Sequence, residues 1–235
     1  MEPDRVMDPA RRLYSQDVLG VEHDLIEMAS RAESMVGQAV EALSALDTAQ
    51  AMSVIRRDDE IDNLEIAIEA KCLKLLAFQH PIASDFRVIG TALKMITDVE
   101  RVGDLAVDIA KAALKIEKEL GDASYVDIPR MASLARGMLR QAIEAFVRRD
   151  LELVNAVCKA DDEVDDLYRQ LRGQIHEVMR TEPDQVVSAS WLLLAIHHIE
   201  RIADHAVNVA ERVAFMVTGD FEQLAATHHP DSVEP

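Results

Sequence analysis

The chain repeats itself once, and nothing else in the sequence restricts its fold as much. Gln38-Ala39-Val40-Glu41-Ala42 returns as Gln141-Ala142-Ile143-Glu144-Ala145, 103 positions on. At the same spacing Asp58-Asp59-Glu60-Ile61-Asp62-Asn63-Leu64 returns as Asp161-Asp162-Glu163-Val164-Asp165-Asp166-Leu167. Farther along, Glu100-Arg101-Val102-Gly103-Asp104 returns as Glu200-Arg201-Ile202-Ala203-Asp204, now 100 positions on. The shortening falls in the turn around Pro81 and Pro183, because turns tolerate length changes. A period this long is not a solenoid repeat and describes a duplicated domain.

Each copy has helical patterning. With 4% aromatic residues, 8 Gly and 7 Pro in 235 residues, the chain lacks the turns and rings of a sandwich or barrel. A hydrophobic content of 49% supplies a core and excludes global disorder. The periodicity predicts helices over 21–46, 48–78 and 85–120, then over 128–148, 151–179 and 184–217. Gln79-His80-Pro81 stops a helix, Ser84 offers an N-cap and Asp85 suits the following first turn. Thr181-Glu182-Pro183 repeats the break, with Pro183 fitted to a first helical position. The organisation expected is a flexible segment 1–19, a first repeat 20–121, a second repeat 126–219 and a flexible tail 220–235. Long helices on short connections pack as antiparallel neighbours. The fold class is therefore all-α, two tandem three-helix bundles related by internal duplication.

Against 25 Lys+Arg stand 43 Asp+Glu, a formal charge of −18. That balance disfavours nucleic acid, whose phosphates need a basic surplus, and docking on anionic lipid. No segment reads as the roughly 18–20 uninterrupted apolar residues of a membrane span. The opening Met1-Glu2-Pro3-Asp4-Arg5 lacks the basic-then-apolar order of a secretory signal. Cys72 and Cys158 sit in apolar helical patterns and are expected as small core residues, not a disulfide framework. A cytoplasmic protein is expected.

Some of the acids stand where apolar residues belong. In the third helix of the first copy Ile89, Leu93 and Ile96 step as a buried seam, and the next seam position is Glu100, followed by Gly103 and Val107. The second copy repeats this with Ala189, Leu193, Ile196, Glu200, Ala203 and Val207. One turn beyond each glutamate lie Asp104 and Asp204, then Asp108 and Asn208. In the second helix Asp58 interrupts Val54 and Ile61, and Asp161 interrupts Val157 and Val164; Asp62 and Asp165 follow. Like charges at this spacing cost about 0.2–0.5 kcal/mol even when exposed, and more on a seam unless a cation offsets them. The bland account is neutralisation by Arg56, Arg57, Arg101, Lys159 and Arg201, or by water. The same intrusion on two helices in both copies favours a multi-carboxylate metal site. Its all-oxygen donors suit magnesium, manganese or iron better than zinc.

At these residues the sequence resembles the PhoU family of bacterial phosphate-specific transport. The likeness rests on Asp58 to Asp62, on Pro81-Ile82-Ala83-Ser84-Asp85-Phe86-Arg87-Val88-Ile89 and on Glu100 to Asp104. In the second half it rests on Asp161 to Asp165 and on Glu200 to Glu211. The resemblance implies paired three-helix bundles, a homodimer, and metal ligands at Asp58, Asp62, Glu100, Asp104 and Asp108, and at Asp161, Asp165, Glu200, Asp204 and Asn208. It implies a negative regulator of the phosphate-starvation response, not an enzyme, linking the transporter ATPase subunit to a sensor histidine kinase. Such a protein would meet the inner membrane face through partners. Asn208 opposite Asp108 and Glu211 opposite Lys111 make the two sites unequal.

Two other classes compete. A ferritin-like or di-iron carboxylate protein needs Glu-x-x-His on two helices, and no glutamate here has a histidine three residues later. A metal-stapled structural scaffold would use the same carboxylates without signalling. No glycine-rich phosphate loop or nucleophile motif offers catalysis a foothold. Arg87 is expected in a local ion pair with Asp85. Val88 and Ala92 suit either the bundle interior or a dimer interface.

Overall fold

The computed structural model describes residues 9–78, 83–118 and 126–220. Its helices are α1 (Pro9–Ala45), α2 (Thr48–Arg56), α3 (Asp58–Phe78), α4 (Ala83–Lys118), α5 (Ile128–Arg148), α6 (Leu151–Thr181) and α7 (Val186–Thr218). The protein is all-α, and no strand occurs among the described residues. Helix α4 already begins at Ala83, so Ser84 stands within its first turn and not before it as the expected cap; the 121–124 linker lies outside the described residues. Pro183 opens a single 3₁₀ turn, Pro183–Gln185, that leads into α7.

The duplication reaches the turns. Leu46 and Arg149, at equivalent positions, both adopt left-handed backbone with φ of 50° and 56°. Each is followed by an aspartate cap. Asp47 Oδ1 accepts from the Ala49 and Gln50 amides, and Asp150 Oδ1 accepts from Glu152 and Leu153. These caps satisfy amides that the first turn leaves unpaired.

Two expectations change. Helix α1 begins at Pro9, so it runs well before position 21, through a stretch expected to be flexible; proline is well suited to that first turn. The expected helix 48–78 is broken at Arg57, whose amide bonds Val54 O at 3.0 Å. Arg57 Nη1 then donates to Gln38 Oε1 on α1 at 3.0 Å. The acidic first turn Asp58-Asp59-Glu60 favours a fresh helix start. In the second copy Ala160 holds this place and α6 runs through.

The first and third helices of each copy pack on their own counterparts. Helices α1 and α5 are antiparallel, tied by Arg149 to Glu22 at 3.3 Å and by Arg136 and Arg140 to Glu33 at 3.5 and 3.2 Å. Helices α4 and α7 are antiparallel through Asp98–His205 at 3.0 Å, Thr91 Oγ1 to Arg212 O at 3.5 Å and Arg87 Nε to Met216 O at 3.1 Å. Stepping from 98 to 91 to 87 in α4 matches 205 to 212 to 216 in α7, one uninterrupted register. The repeats are thus related by an approximate two-fold axis across the helices. Arg87, expected beside Asp85, instead satisfies a carbonyl at the negative end of α7. Val88 and Ala92 are buried within the chain, at the bundle interior.

The outer elements flank this quartet: α3 lies against α4 and α1, α6 against α7 and α5, and α3 and α6 share no contact. One continuous core runs through both copies. Helix α7 contains an 18-residue window of mean hydropathy 1.2, apolar enough by composition to cross a membrane. The sequence expectation missed this because His197, His198 and Glu200 interrupt the run. Its Ala189, Leu192, Ile196, Ile199, Ile202 and Val209 are fully buried against protein, as a core helix requires.

Candidate metal centres

The first acidic groove forms where α3 and α4 lie side by side. Ile61 and Gly103 are both buried and hold the helices close: a Cβ on Gly103 would stand 3.3 Å from Ile61 Cγ2. That approach turns the acids on either side of the contact toward one another. The Asp58 carboxyl is pushed up by burial first, then by the charges of Asp62 and Asp104. Glu100 is pushed up by burial and by Asp104, with Glu65 and Asp62 adding to the effect. Both directions mean that ionising these groups is costly in the folded protein.

Arg101 supplies part of the compensation foreseen for it. Its Nη1 donates to Asp104 Oδ2 at 2.7 Å and its Nε lies 3.4 Å from Glu100 Oε2. Yet Glu100 Oε2 is buried and accepts no hydrogen bond. Asp108, one turn beyond Asp104, accepts from Lys111 Nζ at 2.9 Å. Arg57 turns instead to Gln38 and Glu60.

The second groove, between α6 and α7, has the same plan with different detail. Asp161 is 7% exposed, the most buried carboxylate of the motifs. Glu200 Oε2 lies 3.1 Å from His197 Nδ1, and Asp161, Asp165, Glu200 and Asp204 are all engaged in polar contacts or charge interactions. Asn208 is turned to α4, its Nδ2 donating to Asp98 Oδ1 at 3.5 Å. The Cys158 thiol, only half-buried, is pushed up by burial and by the charges of Glu211 and Asp161. Cys72 is fully buried in the core as expected, and burial pushes it up to about 11.

Sequence reasoning missed several neighbours. Glu65 joins the first groove, accepting from Thr97 Oγ1 at 3.3 Å. Its counterpart pair in the second copy is Tyr168 and His197, with ring centroids 6.2 Å apart. The positions recur but the chemistry does not, so a search for repeated acids passes over them. The bridge from Asp98 to His205 crosses between copies and has no duplicate.

The donor chemistry of both grooves fits a hard cation: carboxylate oxygens partly withdrawn from water and, in the first, a buried Glu100 oxygen that accepts no hydrogen bond. Among the described residues no three His, Cys, Asp or Glu side chains are gathered as a ready coordination shell. The acids therefore line grooves; they do not converge on points.

Known proteins share this architecture. The PhoU domain model matches residues 25–113 and 128–213, one match for each repeat. The "phosphate-specific transport system accessory protein PhoU homolog" of Clostridium acetobutylicum is 35% identical over 210 residues, covering 89% of this chain and 96% of that protein. The crystal structure of PhoU from Pseudomonas aeruginosa superposes with a TM-score of 0.84 at 32% identity, over 88% of this chain and all of that one. The "phosphate transport system regulatory protein PhoU" of Streptococcus pneumoniae gives 0.83 at 26% identity, covering 90% of this chain. Duplicated three-helix frame, paired acidic motifs and matches across both halves agree: the chain belongs to the PhoU family.

Proposed function

We propose that this protein is a cytoplasmic negative regulator of the phosphate-starvation response and of phosphate uptake. It acts as a non-enzymatic, metal-binding adaptor between the ATPase subunit of a phosphate ABC transporter and a sensor histidine kinase, and it works as a homodimer. The observation that carries the metal part is the intrusion of acids into an apolar seam at the same place in both copies, with Glu100 left holding an unsatisfied buried oxygen. The adaptor part is supported by the relatives, which are named as accessory and regulatory proteins of phosphate transport.

Asp58, Asp62, Glu100 and Asp104 would hold one centre, with Asp108 at its end. Asp161, Asp165, Glu200 and Asp204 would hold the other, with Asn208 at its end. A bound magnesium, manganese or iron ion would offset carboxylate charge that partial burial makes costly. Each ion would also join two helices of one repeat, so that metal binding and helix packing are linked.

A pull-down against the transporter ATPase and the sensor kinase, with and without chelator, tests partner identity and metal dependence together. Capture of both partners, weakened by chelator, is expected; no capture of either sinks the adaptor role. Elemental analysis of protein purified without chelator should find hard cations. Glu100→Gln with Asp104→Asn should lower their content, and an unchanged content would refute the assignment of these ligands.

A further inference from the structure

Helices α1 and α5 rest on α4 and α7 by their inner sides, and their outer sides stay open to water. Leu19 and Ile26 on α1 are 60% and 40% exposed, Val147 on α5 and Leu151 at the start of α6 39% and 37%. Helical spacing places Leu19 and Ile26 on one stripe, beside the α5 end that Arg149 ties to Glu22. Ile26, Ala29, Leu139 and Ile143 line a shallow apolar cavity of about 230 Å³ there. Farther along, the same face turns charged. Arg136 and Arg140 share the single carboxylate of Glu33, and Glu41 lies across a polar hollow from Arg136. Gly37 keeps this stretch flat, since a Cβ there would stand 2.9 Å from Arg136 Cζ. Helix α5 carries Arg130, Arg136, Arg140 and Arg148 against one acid, Glu144, in a chain of formal charge −18.

We propose that this outer α1–α5 face is the contact by which two copies of the chain dimerise, which rests on the homodimer reading above and gives it a surface. Two strongly acidic chains repel one another over most of their surface, and the arginine row of α5 is where that repulsion is relieved. The face is also complementary to itself. A two-fold axis running along the helices in the plane of contact lays α1 of one copy over α5 of the other, antiparallel as within the chain and at the same level. Leu19 and Ile26 then meet the partner's Val147 and Leu151, while Glu33 and Glu41 meet the partner's Arg136 and Arg140. Apolar surface covers apolar surface, and each arginine row gains carboxylates to share. From Leu19 to Glu41 the face runs about 33 Å, and two helices make it about 20 Å wide. That is roughly 650 Å² on each copy and about 1,300 Å² in all, the size of a stable interface.

The test is sedimentation of the full chain by analytical ultracentrifugation. Wild type should sediment as a dimer. Ile26→Glu and Val147→Lys alter exposed positions, and each enters a two-fold interface twice; either should raise the dimer Kd by about a hundredfold or more, the effect of setting unpaired charges against apolar surface. Mixed in equal amounts, the two variants should pair again, because the mixed dimer sets Glu against Lys at one contact and keeps Ile26 against Val147 at the other. That rescue also shows that both variants fold. Leu194→Glu, exposed on α7, should leave the dimer as it is. A dimer that ignores both substitutions, a mixture that stays monomeric, or equal loss with Leu194→Glu would overturn this face and leave the homodimer reading standing. A monomeric wild type overturns both. If monomeric wild type captures the transporter ATPase subunit and Ile26→Glu does not, the face belongs to that protein and the proposal falls.

Discussion

Glu100 concentrates the tension between packing and charge in a single residue. Its side chain is 16% exposed, it interrupts a seam that otherwise reads Ile89, Leu93, Ile96, Gly103, Val107, and one of its oxygens is buried without a hydrogen bond. Burial and Asp104 push its carboxyl up. A group raised in the fold stabilises the protein most in acid, and that contribution is lost as pH rises through the raised value. Metal-free Glu100→Gln should therefore be more stable than wild type at neutral pH, by about 1 kcal/mol, or roughly 2–4 °C in Tm for a chain of this size. The gap should shrink as pH falls toward about 4, where both side chains are neutral. Calorimetric Tm values across that range check it; a gap that is flat with pH would remove the charge argument. The intrusion itself was legible in the sequence because spacing alone shows an acid on an apolar stripe. The company Glu100 keeps was not, since Glu65 and Thr97 have Tyr168 and His197 as counterparts and no repeated signal marks them.

At the scale of the helix pair, the duplication shows how one contact is kept while its parts change. Ile61 on α3 stands over Gly103 on α4, with the closest approach of a Gly103 Cβ at 3.3 Å. The equivalent positions on α6 and α7 are Val164 and Ala203, both fully buried. A methyl group lost from one partner has reappeared on the other, a volume-conserving exchange of the kind cores accept. Gly103→Ala alone gains helix propensity of about 1 kcal/mol but crowds Ile61, a β-branched side chain with little freedom to turn away. Ile61→Val alone leaves a gap costing about 1 kcal/mol. Together they should recreate the second copy's packing, so denaturant unfolding of the two single variants and the double should show non-additivity of about 1 kcal/mol in favour of the double. Strict additivity would mean that the two residues do not share this space. Helix positions were largely legible from periodicity. The left-handed turns at Leu46 and Arg149 were not, because neither is glycine and the signal lay in the following aspartate caps.

Across the whole molecule, the interface between repeats is drawn from the same helices that form each repeat's own interior. The sequence shows that there are two copies; it does not show that α1 pairs with α5 and α4 with α7, because the pairing is set by which apolar faces remain after each three-helix unit has closed. Val88, Ala92, Thr91 and Ser188 are all buried, and Thr91 and Arg87 reach carbonyls of α7. Helix α7 is apolar on more than one side because it faces α4, α5 and α6 at once. An isolated repeat would expose that face, which in water invites collapse or association. One core running through both copies should give one cooperative transition in the intact chain, near-ultraviolet and far-ultraviolet signals melting together. A fragment ending at 118 should lose most of its cooperative unfolding and associate through α4, whereas mixing it with a fragment starting at 126 should restore a single transition by rebuilding the α4–α7 and α1–α5 contacts. Two separate transitions in the intact chain, or a monomeric and cooperatively folded first fragment, would show that the repeats are independent domains. The proposed metal centres would lie between α3 and α4 and between α6 and α7, one in each repeat, so an ion in either would stabilise a helix pair on which the shared core depends. Manganese added to the intact chain should therefore raise the single transition as a whole without splitting it.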